Sequence, residues 1–271
     1  MGSAFFGALI LWLKGVHGKV FRLLIIRLLA MFRDGSRIWP LAPVVPALIV
    51  LPEFAQHVVE IQIGMFESRE AGRALAEDPT RWAFGYAKLA GLLLAILATI
   101  RFWGATRNGG QWWNPASVAW KNVLVAVVSV ALTSLPGALL VDRIGEERTG
   151  WIDTALALAT LPLFVLLVRG LSGDRETSLQ SVFRRDWLAA IRMLAFAALV
   201  WIPLQYLHGK NHDWAFGAPD ALVWLLMIFD SIVVGLIATL AGTAIHHGSL
   251  PLRAQPTSSP EASPTAAQVG G

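Results

Sequence analysis

The segment from Pro52 to Glu67 sets Glu53, Gln56, His57, Glu60 and Glu67 among Phe, Val, Ile and Met residues. On a helix turning about 100° per residue, Glu53, Gln56, His57, Glu60, Gly64 and Glu67 share one sector about 100° wide. The rest of that wheel is apolar apart from Gln62. Three roles suit such a stripe. Carboxylate oxygens and an imidazole nitrogen spaced i, i+3 and i+4 can ligate a divalent cation. Crowded acids in a poorly solvated place raise one another's affinity for protons and can relay them. The stripe can also simply line a wet outer vestibule, hydrogen-bonded to loops and neighbouring helices.

Two further groups bear on that choice. His208 and His212 are four apart, on the same side as the stripe, so a metal at the outer rim would draw on His57, Glu53, Glu60, His208 and His212. The run His-Gly-Lys-Asn-His, with its Gly and Asn, reads as a loop and not as a helix. Asp230 lies inside an apolar run about ten residues from its outer end, or roughly 15 Å deep at the helical rise. A charge there costs at least about 3 kcal/mol unless it is paired, protonated or wetted. Lys88 and Arg192 lie at a comparable level on other runs and are the expected ion-pair partners of Asp230. Glu53, His57, Glu60 and Asp230 are therefore the candidate ligand or ion pathway.

These residues need elements that hold them in a bilayer, and the composition supplies them. Of 271 residues, 55% are apolar and 15% charged, and mean hydropathy is +0.58. Soluble domains have roughly 45–50% apolar and about 25% charged residues. A water-soluble domain, a nucleic-acid binder and a disordered chain are thereby disfavoured. Six stretches are long and apolar enough to cross a bilayer, at residues 38–59, 82–103, 118–140, 151–171, 187–207 and 220–245,. Tryptophans 39, 82, 103, 120, 151 and 187 fall near their ends, where such rings anchor,. The expected fold is thus an all-α polytopic membrane protein with six transmembrane helices.

Of the 22 Lys and Arg residues, fifteen fall on the side shared by the two termini and seven on the other. That excess places both termini in the cytoplasm of an inner-membrane protein. Residues 1–37 read as a basic amphipathic interfacial segment, with Phe21, Leu24, Ile25, Leu28, Leu29 and Phe32 at helical spacing,. Residues 248–271, rich in Pro, Ser, Ala and Thr, read as a disordered cytoplasmic tail,. Basic residues with Trp112, Trp113 and Trp120 suit anionic lipid at the cytoplasmic face,.

Trp120 to Pro136 and Trp187 to Pro203 are each 16 residues, and Trp39 with Leu51-Pro52 follows the same grammar. The runs thus form three hairpins of one orientation, which parallel repeats would explain; the other reading is that Ala- and Leu-rich helices align with one another readily. The basic interfacial helix, six spans and repeated basic-aromatic hairpin entry resemble the six-helix bacterial membrane proteins of the YciC type and the membrane domain attached to some glycerophosphodiester phosphodiesterases. The resemblance is architectural, rests on no diagnostic motif and carries over no functional residue. The phosphodiesterase domain itself is absent.

Ser231, Gly235, Thr239 and Thr243 give the last run a small face, suited to close helix packing within the chain or to a homodimer,. The chain has no Cys, no Walker-type phosphate loop, no Gly-x-Ser-x-Gly elbow and no His-Glu-x-x-His helix,. The expectation is a non-enzymatic inner-membrane protein that binds or translocates a small solute, ion or lipid through the bundle, without an organic cofactor. The alternatives are a membrane scaffold or assembly subunit that engages a protein partner and, third, an intramembrane enzyme acting on lipid with a metal at the outer rim.

Overall fold

A computed structural model describes the backbone of residues 2–251 and the side chains of residues 22–251, except those of Ser134, Ala138 and Ile144. The expected tail from residue 252 onward and the side chain of Phe21 lie outside the described residues. Among the described residues the fold is all-helical, without strands. Residues 2–26 are helical throughout, and Arg27–Leu250 forms a separate packed unit that holds everything discussed below.

The first helix, α1, covers Gly2–Leu41 and α2 covers Val44–Gln62. The first span therefore starts at residue 44, not at 38. The cause is local: Pro43 has no N–H to donate, and it disfavours the helical conformation at Ala42. From Arg27 on, α1 buries Met31, Gly35 and Ile38, while Leu29 and Phe32 stay exposed. Arg27 donates to the His247 carbonyl, and the His247 ring lies 3.1 Å from Asp34.

α2 ends at Gln62 and turns through Gly64, whose φ of +78° suits glycine,. Ser68 caps the short α3, Arg69–Ala74, and Asp78 caps α4, Pro79–Arg107, by accepting from the N–H groups of Thr80 and Arg81,. α2 and α4 approach closely because Gly91 has no side chain: a Cβ there would strike the Leu48 carbonyl.

The second hairpin joins α5, Trp120–Ile144, to α6, Glu146–Ala159, and α7, Pro162–Leu171. The stretch expected as one span at 151–171 is thus two helices meeting at 51°. Pro162 is the reason, since its ring cannot donate to the preceding turn and crowds it. A short α8, Leu179–Arg185, leads into the third hairpin, α9, Trp187–Ala215, and α10, Asp220–Ser249. Both α5 and α9 begin at their Trp and carry their Pro 16 residues on.

Among the described residues, five helices are long and apolar enough to cross a membrane, or six if α6 and α7 together form one broken span. α10 is the central one: half of its most apolar window is buried, against 19% for α5. Its small face is used within the chain. Gly235 meets Trp39 and Val50, Thr239 accepts from the Trp39 indole, Thr243 accepts from the Trp103 indole, and Gly242 meets the Ile96 carbonyl. At the opposite, outward faces, Leu139, Leu188, Leu199 and Ile202 are more than half exposed. Apolar surface on that scale suits lipid and not water.

Candidate functional site

α2 supplies the first wall of the site. Glu53, Gln56, His57 and Glu60 recur every three or four residues, so one helical face presents them all, and all four are buried,. Gly64 and Glu67 do not continue that face. The helix has already ended, and Glu67 is exposed in the turn.

α9 supplies the second wall. It runs on to Ala215, so His208, Asn211 and His212 sit on helix and not in a loop. The low local propensity of Gly209 and Asn211 is overcome by tertiary contacts, because Asn211 and Ala215 are fully buried and Asn211 is hydrogen-bonded to α10,. α10 brings Asp230, itself fully buried, between the two walls.

Asp230 is the hub. Its Oδ1 accepts from Asn211 Nδ2 at 2.7 Å. Its Oδ2 faces three imidazole nitrogens: His208 Nδ1 at 2.6 Å, His57 Nε2 at 3.1 Å and His212 Nε2 at 3.5 Å. His57, also fully buried, has carboxylates at both ring nitrogens, with Nδ1 2.9 Å from Glu60 and Nε2 3.3 Å from Glu53 as well as facing Asp230. A neutral ring would point a lone pair at carboxylate oxygen on one of those sides. A proton on each nitrogen, or a cation shared with the carboxylates, removes that conflict.

The fixed cations lie on α4. Lys88 Nζ is 2.9 Å from Glu53, and Arg81 Nε donates to Glu60 at 2.9 Å. Three carboxylates against these two cations leave one negative charge for the imidazoles or a bound cation to balance. Lys88 therefore pairs with Glu53 and not with Asp230. Arg192 is at the far end of α9, where it donates to the carbonyls of Gly248 and Leu250. Both pairings expected for Asp230 are thus corrected. Lys88 is at a suitable level but faces another way around its helix, whereas Arg192 lies beside Gly248, eighteen residues or about 27 Å along α10 from Asp230, and so is at the wrong depth,.

Several buried acceptors remain open. Both oxygens of Glu53, Gln56 Oε1 and Asn211 Oδ1 lack a hydrogen bond, although Glu53 Oε1 has its ion pairs. Beyond the end of α2, Phe66 packs on the His212 and Phe216 rings, and Gly217 N–H donates to the Phe66 carbonyl. Arg69 to Asp213 adds an exposed ion pair over the same region.

Three triads place one ligand atom from each residue within 4.8 Å of the others: His57, Glu60 and His212; His208, His212 and Asp230; Glu53, His57 and Asp230. The sequence-expected residues Glu53, His57, Glu60, His208, His212 and Asp230 therefore form one cluster. Arg81 and Asn211 belong to it too, and sequence reasoning passed over them. Asn211 shares the i, i+3, i+4 spacing of His208 and His212, a signal hidden once the segment was read as a loop.

α10 has 30 residues and runs about 45 Å, against a hydrocarbon core of about 30 Å,. Asp230 is ten residues along it, so a centred helix places the hub in the half of the membrane nearer the start of α10 and not at its middle,. Fold and site together define an apolar helical bundle with a buried cluster of carboxylates, imidazoles and two fixed cations toward one end. Comparison with family models, curated proteins and solved structures gives no match to this chain.

Proposed function

We propose that the chain is a non-enzymatic, six-span inner-membrane protein that binds and translocates a small ion or solute, with the cluster around Asp230 and His57 as the binding locus. In this reading α6 and α7 count as one broken span and both termini are cytoplasmic, which the excess of fifteen over seven cationic residues supports,. The three hairpins then stand as parallel repeats, supported by the matching Trp-to-Pro spacing of α5 and α9,.

One observation carries the functional reading. His57 and Asp230 are fully buried on different helices, and one carboxylate oxygen faces three imidazoles. Ionisable groups inside a membrane bundle are expensive and mark ion or substrate pathways. The cluster is not sealed from its surroundings, since the Arg81, Lys88 and His212 side chains are each 20% exposed.

The test is flux into liposomes that hold the purified protein and enclose pH-sensitive or metal-sensitive dye. Asp230→Asn keeps the shape of the side chain and removes its charge, and it is expected to abolish flux while folded protein remains in the membrane. Normal flux in that variant overturns the proposal. A scaffold role instead predicts co-purifying proteins and tolerance of Glu53, Glu60 and Asp230 substitutions.

A further inference from the structure

We infer that the cluster is a site for a divalent first-row transition cation, held by His208, His212 and Asp230, with His57 beside the fourth position. The inference rests on the ion-binding reading above and names the ion's class.

His208 and His212 are one turn apart on α9, so their rings leave the same face, and their ring centroids are 4.9 Å apart,. Asp230 closes the triad from α10, with Oδ2 2.6 Å from His208 Nδ1 and 3.5 Å from His212 Nε2. Metal–ligand bonds of about 2.0–2.1 Å in a tetrahedron put ligand atoms roughly 3.3 Å apart. The 3.5 Å edge is already close to that value, the 2.6 Å edge would open by about 0.7 Å, and the edge between the two imidazoles lies within 4.8 Å,.

The surroundings have the form of an outer shell. Asn211 Nδ2 holds Asp230 Oδ1, which fixes the carboxylate so that Oδ2 faces the imidazoles. Glu60 lies against His57 Nδ1, which directs Nε2 toward Asp230. Carboxylates and amides that orient ligands in this way are a regular part of metal sites.

A second, independent observation points to a cation. Glu53 Oε2 and Asn211 Oδ1 are buried acceptors without a donor, on residues that adjoin Asp230: Glu53 shares a triad with His57 and Asp230, and Asn211 is hydrogen-bonded to Asp230. Orphaned buried acceptors call for a hydrogen-bond donor or a cation, and a metal ion with its bound water supplies both. Two imidazoles and a carboxylate select zinc, iron, copper or nickel over magnesium and calcium, which take oxygen shells.

The experiment uses the full chain, purified in detergent without chelators. Metal content is measured by inductively coupled plasma mass spectrometry, and Co2+ is titrated while the visible spectrum is recorded. One ion per chain is expected, with Co2+ bands of a four- or five-coordinate nitrogen and oxygen site, displaced by Zn2+ and not by Mg2+. His208→Ala and His212→Ala are each expected to weaken Co2+ binding at least tenfold.

A measurement on the unaltered protein guards against variants that fail to fold. Zn2+ is expected to shield His208 and His212 from diethyl pyrocarbonate, mapped by peptide mass spectrometry, while Mg2+ does not. Absence of stoichiometric Zn2+ or Co2+ binding, or equal labelling with and without Zn2+, overturns the inference. If no transition metal binds yet Asp230→Asn abolishes proton or monovalent-cation flux, the inference fails and the broader reading stands. If metal binds through these residues and nothing crosses the bilayer, the site stands and translocation fails.

Discussion

Lys88→Met tests the charge pairing inside the bundle most directly. Glu53 is fully buried and its Oε1 touches only Lys88 Nζ, at 2.9 Å, and His57 Nε2, at 3.3 Å, among the ion pairs it makes. Deleting one member of a fully buried pair costs about 3–5 kcal/mol, chiefly because the other charge is stranded. The Lys88 side chain is 20% exposed, so water screens part of the pair and the expected loss falls to about 2–3 kcal/mol,. Methionine keeps the apolar stem, so packing changes little.

The assay is reversible unfolding in mixed micelles, followed by the fluorescence of the 12 tryptophans. Glu53→Gln and the Glu53→Gln/Lys88→Met double variant complete a cycle, which should return a coupling of at least about 1 kcal/mol. The corresponding Lys88 and Asp230 cycle should return less, because Lys88 faces Glu53. Additivity within about 0.5 kcal/mol for the Glu53 cycle refutes the pairing.

Two further outcomes follow from other parts of the fold. Gly91→Leu is expected to destabilise the α2–α4 contact by at least about 1–3 kcal/mol, since its Cβ meets the Leu48 carbonyl,; an unchanged thermal midpoint in detergent counts against that close approach. In the loop between α7 and α8, burial pushes the Asp174 carboxyl up, but hydrogen bonds from the Thr177 hydroxyl and the N–H groups of Thr177 and Glu176 outweigh it and hold the group below its usual range. The resulting stability is complete above an unfolded value of about 3.9 and is lost as pH falls through the folded one. Asp174→Asn should therefore lower the thermal midpoint above about pH 4 and differ less from wild type in more acid solution. A difference independent of pH refutes this.

The apolar runs were legible because crossing a bilayer is a local demand: each run must satisfy its own backbone and be long enough. The polar face of α2 was legible for the same reason, since helical periodicity puts Glu53, His57 and Glu60 together whatever surrounds them,. Proline chemistry also lay in the sequence, and its weight was underestimated at Pro43 and Pro162, where the first span starts late and another breaks. Glu67 fits the periodicity of the stripe but leaves it, because the chain turns at Gly64 before reaching it.

By itself, then, the sequence determined an all-helical apolar chain, its hairpins and one chemically loaded helical face, all set by composition and short-range periodicity. Only the tertiary structure decided which groups meet. The rotation of α4 sends Lys88 to Glu53 and Arg81 to Glu60, and the end of α9 carries Arg192 to the carbonyls of Gly248 and Leu250. Asp230 is left to His57, His208, His212 and Asn211. Arg192, five residues into α9, is at the wrong depth for Asp230, which residue number along the helix already implies, whereas the direction Lys88 faces toward another helix is set by packing,. At this site that packing rests on contacts such as Gly91 against Leu48 and Gly235 against Trp39, between residues far apart in the chain.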